Sequence, residues 1–166
     1  MGRSLSADVY FGYDLGDEYE PDWWLEQDED GEFDWEDAYA ARLGWVSVPF
    51  PADYPETDYA LPDDERQRIE ADYEKSSAAY QEYEASRERR RELLADLTIE
   101  IDSFGYEYEL NCVRVKASVQ TTYGSTQLKP LVADPEWVDQ LNRFVELLEL
   151  KVPEGGPGWH LNCSYG

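Results

Sequence analysis

The 166-residue sequence has few basic residues, two cysteines, one histidine and no long hydrophobic run. With 14 Lys and Arg against 38 Asp and Glu, its formal net charge is −24, which argues against direct binding of nucleic acid or an anionic membrane. Cys112 and Cys163 are too few for a disulfide-built scaffold. The lack of a signal-peptide-like or membrane-spanning run leads us to expect a soluble protein of the cytoplasm.

The residues that are present indicate a folded chain whose acidity is uneven. Hydrophobic residues make up 42% and aromatic residues 14%, which is too apolar for a wholly disordered chain. We expect one domain over residues 1–166, with an acidic aromatic segment at 14–65 and a helix–sheet core at 66–166. Residues 1–65 hold 20 acids and two bases, whereas residues 66–166 hold 18 acids and 12 bases. An acidic protein of a halophile is the alternative, but its charge should spread over the whole surface.

Hydrophobic periodicity predicts an α+β fold, an antiparallel sheet with one long and one shorter amphipathic helix packed on it. Alternating apolar residues indicate strands at 6–16, at 97–124 with a turn at 103–105, and at 159–166. Helices are expected at 34–44, 63–96 and 134–150, and four prolines make 45–62 an extended loop. A switch in the apolar phase predicts either a bulge near 111–113 or a strand covered on both faces.

An EF-hand-like spacing at residues 26–37 makes a calcium-binding or structural module one alternative function. The oxygen positions of such a loop are filled by six acids: Glu26, Asp28, Asp30, Glu32, Asp34 and Asp37. Gly31 and Phe33 stand where the loop needs glycine and an apolar residue. Glu26 at the first position and the short Asp37 at the last depart from the pattern, and we therefore expect no bound metal.

Catalysis has a weaker basis in the sequence. His160 is the single histidine, and Cys163, three residues along the same strand, would point to the opposite face. An enzyme centred on His160 and Cys112 would need the fold to bring two distant strands together. Buried structural cysteines are the simpler interpretation, so we predict no enzyme and no cofactor.

The longest run of one charge sign is the acidic segment, residues 14–37, which holds thirteen acids and no base. These are Asp14, Asp17, Glu18, Glu20, Asp22, Glu26, Asp28, Glu29, Asp30, Glu32, Asp34, Glu36 and Asp37. Trp23, Trp24 and Trp35 are interleaved with them and can anchor the segment on the fold or stack in a partner's base-binding pocket. Carboxylates displayed in this way can imitate phosphates and occupy a basic groove. A second acidic row, on the predicted helix at 63–96, is interrupted by arginines, which indicates ion pairs within that helix.

In size and charge character, the chain resembles the small acidic inhibitors that phages and mobile elements use against restriction, CRISPR or repair enzymes. The opening "ADVYFGYDLGD" also resembles the starts of small uncharacterised proteins from actinobacterial phages. The first resemblance implies a non-enzymatic inhibitor whose acidic face binds a basic, nucleic-acid-binding groove of another protein, in the host cytoplasm if a phage encodes it. The resemblance transfers no site residue.

Overall fold

The computed structural model describes residues 5–16, 34–56, 59–104, 110–123 and 127–165. Their contacts define two compact units, one formed by Met1–Tyr39 with Leu97–Gly166 and the other by Ala40–Asp96. These boundaries differ from the division at residues 65 and 66 that the charge pattern suggested. The first unit contains the sheet and the second contains two of the helices.

The sheet of the first unit is five-stranded and antiparallel, which confirms the α+β class. Its strands are β1 (Leu5–Gly16), β2 (Ile99–Phe104), β3 (Leu110–Val115), β4 (Gln120–Tyr123) and β5 (Gly158–Tyr165). Gly12 of β1 pairs with both Arg114 of β3 and Gly158 of β5, so β3 and β5 lie on opposite edges of β1. Since residues 6–9 pair with both β4 and β5, β4 shares the β3 edge. β2 then pairs with β3.

Helix α4 (Pro135–Leu147) covers one face of this sheet, as the predicted shorter helix should. The Asp134 side chain caps it by accepting the Glu136 N–H at 2.9 Å. The apolar stripe of this amphipathic helix is buried, with Leu141 and Leu148 fully enclosed and Phe144 nearly so. These side chains pack in one core with apolar residues of β1, β2 and β3. Burial of this stripe positions α4 on the sheet.

The switch in the apolar phase of β3 arises because that strand is covered on both faces. Cys112 and Val113 are both buried although they point to opposite faces. A bulge is also present, since the register of β1 against β3 shifts between Asp14 and Gly16. Its extra residue lies on β1, so it does not invert the alternation along β3. A 3₁₀ turn at Lys116–Ser118 then separates β3 from β4.

The predicted single helix at residues 63–96 is wrong, because the chain forms two helices, α2 (Asp63–Ser76) and α3 (Ala78–Leu94). They meet at Ser77, whose backbone is extended at φ −80° and ψ 116°. The Ser77 N–H donates to the Tyr73 carbonyl at 2.8 Å and ends α2, while its hydroxyl accepts the Tyr80 N–H at 3.3 Å and begins α3. Serine competes for backbone hydrogen bonds in this way, so it can interrupt a run of good helix formers.

Within the second unit, the helices pack on the proline-rich segment through aromatic rings. The Phe50 ring lies 4.9 Å from that of Tyr54 and 5.2 Å from that of Tyr83. Tyr54 in turn contacts Tyr73 at 5.2 Å and Tyr80 at 5.7 Å. The tyrosines of α2 and α3 therefore pack on the loop at 45–62, whose described residues contain no helix or strand.

Helix α1 (Trp35–Arg42) begins within the last residues of the acidic segment and matches the prediction at 34–44. Gly44 lies just beyond it with φ +90°, a conformation that favours glycine at a helix end. The boundary between the two units falls inside this helix, after Tyr39. Residues 35–39 therefore belong to the same unit as the sheet.

Candidate functional site

The structure describes both ends of the acidic segment. Asp14 ends the predicted site on the β1 side, and Asp34, Trp35, Glu36 and Asp37 end it on the α1 side. The remaining candidate residues lie outside the described residues: Asp17, Glu18, Glu20, Asp22, Trp23, Trp24, Glu26, Asp28, Glu29, Asp30 and Glu32.

At the first end, Asp14 is exposed near the end of β1, and its Oδ1 accepts the Gly16 N–H at 3.0 Å. This short side-chain turn stabilises the left-handed conformation of Gly16, at φ +76°, where the strand ends. Leu15, between them, packs on the core. The acidic segment therefore leaves the sheet from a point that is attached to the core.

At the second end, Asp34 caps α1, because its Oδ1 accepts the Glu36 N–H at 2.8 Å. Glu36 and Asp37 lie in the first turn, where negative charge favours the helix dipole. The Trp35 ring meets Phe144 of α4 edge-on at 5.8 Å between centroids. Trp35 therefore anchors the segment on the core, one of the two roles that the sequence allowed for its aromatic residues.

The calcium alternative falls largely outside the described residues, which contain only Asp34 and Asp37 of its six ligands. Asp34 Oδ1 is used as a helix cap. Across the described ranges, no group of three or more Asp, Glu, His or Cys side chains is arranged to hold a metal ion. Metal binding by residues 26–37 stays a prediction.

The sheet face opposite α4 carries an ionic cluster that the sequence did not reveal. Arg114 of β3 lies among three carboxylates, at 2.7 Å from Glu100, 2.7 Å from Asp102 and 3.8 Å from Asp8. The Arg114 side chain is 12% exposed, so its charge is held in a partly desolvated place. Burial raises the pKa of Asp102, whereas the attraction of Arg114 lowers it. With three acids around one base, this cluster, which we call the arginine cluster, carries net negative charge.

Beside the arginine cluster, Tyr10 lies between the two residues of the catalytic alternative. Its ring stacks on His160 of β5 at 5.3 Å, and the His160 Nε2 lies 3.1 Å from the Gly12 carbonyl oxygen. On the other side, the Tyr10 side chain lies beside that of Cys112. The fold therefore brings Cys112 and His160 to one face of the sheet, with the Tyr10 ring between them.

This geometry does not favour nucleophilic catalysis by Cys112. Burial raises the pKa of its thiol to about 12, so the thiol stays protonated at neutral pH. The thiolate is the reactive form, and a reactive cysteine needs a lowered pKa and an exposed sulfur. Burial likewise raises the pKa of Tyr10. Cys112 and Tyr10 therefore act as packing residues of this face.

The alternation of apolar and charged residues along β2 and β3 is the sequence signal from which the arginine cluster could have been predicted. Since Ile99, Val113 and Val115 belong to the core, the residues between them must share the other face. Glu100, Asp102 and Arg114 are such residues, but their register across the two strands follows only from the strand pairing.

Comparison with protein-family models, curated proteins and solved structures finds no match. Among the described residues, no helix combines the length and apolar character that a membrane crossing needs.

Proposed function

We propose that this protein is a non-enzymatic inhibitor whose acidic segment, residues 14–37, binds a basic surface of another protein in place of nucleic acid. The partner would be a host defence or DNA-processing enzyme with a nucleic-acid-binding groove. Inhibition would follow from competition for that groove, without a cofactor and in the cytoplasm. Restriction, CRISPR and repair enzymes are the partner classes that the resemblance in size and charge suggests.

The observation that carries this proposal is that ten of the thirteen acids, with no base among them, lie between two points fixed to one core. Leu15 at one end and Trp35 at the other both pack on the core of the first unit. A segment held at both ends has fewer conformations to lose on binding than a free acidic tail. Fixed ends therefore favour a binding role over a purely solubilising one.

Several acids elsewhere in the described chain pair with bases. In α3, Arg87 pairs with Glu84 at 3.0 Å and Arg89 pairs with Glu92 at 3.3 Å, which confirms the predicted ion pairs within the helix. The acids of the arginine cluster share Arg114. Because the acidic segment contains no base of its own, its negative electrostatic potential should attract a basic partner.

The test neutralises the nine acids that lie between the two described ends of the segment. The segment variant changes nine side chains from Asp to Asn or Glu to Gln, at Asp17, Glu18, Glu20, Asp22, Glu26, Asp28, Glu29, Asp30 and Glu32. Asp14 and Asp34 are kept because their side chains accept backbone hydrogen bonds.

The matched control variant neutralises nine exposed acids outside the segment. These are Glu56, Asp64, Glu65, Asp72, Glu82, Asp96, Asp139, Glu146 and Glu154. Both variants change the net charge by the same amount, so only the position of the charge differs. Each protein is immobilised, exposed to extract of a candidate host at low and moderate salt, and its captured proteins are identified by mass spectrometry.

We expect the wild type and the control variant to capture the same nucleic-acid-binding protein and the segment variant to lose it. Capture should weaken steeply with salt, since the contact is between opposite charges. Equal capture by the segment variant would refute the proposal, and equal loss in both variants would show that net charge, not the segment, drives binding.

A further inference from the structure

Strand β5 lies at one edge of the described sheet, and its sequence lacks the charges and prolines that usually protect an edge. Among the described residues it pairs with β1 and with no other strand. Its Gly158–Tyr165 sequence has no charged residue and no proline, although 31% of the chain is charged. β2, the edge strand beyond β3, carries Glu100 and Asp102 instead. Edge strands are normally protected from pairing by charges, prolines or bulges, and within the described sheet the outer edge of β5 has no strand paired to it.

The hydrogen bonds of β1 show which backbone groups of β5 point outward. The Phe11 N–H donates to the Ser118 hydroxyl at 2.9 Å, on the edge of β1 that pairs with β3 and β4. Backbone groups alternate along a strand, so those of Tyr10 face β5 and those of its register partner His160 face β1. By the same alternation, the N–H and C=O of Leu161 point away from the sheet. The Leu161 side chain is also 67% exposed.

We propose that the outer edge of β5 binds an extended segment of a basic partner protein as an added strand. Its backbone would pair with the outward groups of β5, and its alternate side chains would lie on the two faces of the sheet. On the face of Leu161 the segment would place apolar residues. On the other face, Asn162 lies in register with Asp8, whose side chain is 23% exposed and belongs to the acidic arginine cluster.

Two kinds of segment could pair with this edge, one from a second copy of this chain and one from a basic partner, and charge favours the basic partner. A second copy would bring another net charge of −24 to the interface, whereas a basic segment would be attracted. The fitting partner segment therefore alternates basic and apolar residues. This inference shares with the proposed function only the basic character of the partner, since β5 lies outside the acidic segment.

The test uses a synthetic peptide of alternating lysine and valine, labelled for fluorescence anisotropy, at physiological ionic strength. A matched peptide carries N-methyl groups on adjacent central residues, so neither of its edges can donate a full set of backbone hydrogen bonds. Leu161→Pro is the matched protein variant, because proline removes an outward N–H without removing a hydrogen bond to β1. We expect either change to weaken binding about tenfold, the effect of losing roughly one net hydrogen bond.

Equal affinity of wild type for the methylated and unmethylated peptides would overturn the proposal, even if Leu161→Pro failed to fold. The segment variant separates this inference from the proposed function. If it loses its captured partner but still prefers the unmethylated peptide, the edge proposal stands by itself. Self-association of the wild type that Leu161→Pro abolishes would also overturn it, because the occupant would then be a second copy.

Discussion

Replacing Arg114 by methionine would remove the positive charge from among the three carboxylates of the arginine cluster. Removing one partner of a buried ion pair costs about 3–5 kcal/mol, because the remaining charge is left uncompensated. The Arg114 side chain is 12% exposed and its partners are 23–37% exposed, so water screens part of this effect. We therefore expect the free energy of unfolding to fall by about 3 kcal/mol at neutral pH.

The loss should depend on pH through Asp102. Burial raises the pKa of Asp102 and Arg114 lowers it, so in the variant this pKa rises further. An aspartate whose pKa is higher in the folded than in the unfolded protein opposes folding once it is ionised. That cost is absent below the unfolded-state pKa and fully present above the folded-state pKa. The difference in stability between wild type and Arg114→Met should therefore be largest near pH 7 and shrink towards about pH 4.

Urea unfolding followed by tryptophan fluorescence measures this difference, with linear extrapolation at each pH. The control is a triple variant that adds Glu100→Gln and Asp102→Asn to Arg114→Met. Because it also removes two of the negative charges that are left without the Arg114 partner, it should recover most of the lost stability. A variant Arg114→Met that is as stable as wild type at pH 7, or whose deficit does not change with pH, would refute this account of the cluster.

Two further predictions concern the close packing of the sheet. Gly12→Ala should abolish the cooperative melting transition seen by circular dichroism, because its Cβ would lie 1.9 Å from the Val113 carbonyl oxygen; Gly158→Ala, which meets nothing within 4 Å, should melt nearly as wild type does. Equal melting of the two variants would contradict the strand register. A thiol reagent should label exposed Cys163 rapidly and buried Cys112 only on unfolding, and rapid labelling of both would show that the face around Tyr10 is open.

The elements with strong local signals could be predicted from the sequence. Helix α4 has an aspartate cap, a proline in its first turn and a clean apolar stripe, and each of these has the same role in the structure. Strand β1 alternates apolar residues over its length, and its apolar positions Phe11 and Tyr13 face the core as expected. In these elements the local preference and the tertiary packing agree.

The break between α2 and α3 could not be predicted from composition, since no glycine or proline marks it. The pair Ser76-Ser77 was the available signal, because serine is a preferred cap residue. The packing of Phe50 and Tyr54 on both helices depends on a loop that approaches from elsewhere in the sequence. Periodicity within the helix gives no information about such a partner.

For the candidate site, the sequence predicts the features that are local. The acidic segment is such a feature, and of the three tryptophans that could anchor it, Trp35 lies against Phe144 of the core. The sequence did not identify the arginine cluster, because the placement of Arg114 beside Glu100 and Asp102 depends on the register between β2 and β3. Nor did it distinguish β5 as an edge strand, since edge position is set by the order of strands in the sheet.

The most direct test of the proposed mimicry is a displacement titration with the captured partner. The partner is bound to fluorescently labelled duplex DNA or RNA, and this protein is added at increasing salt concentrations. The account predicts that the wild type displaces the nucleic acid, that displacement weakens as salt rises, and that the segment variant does not displace it. A ternary complex in which the partner holds both this protein and its nucleic acid would contradict the account.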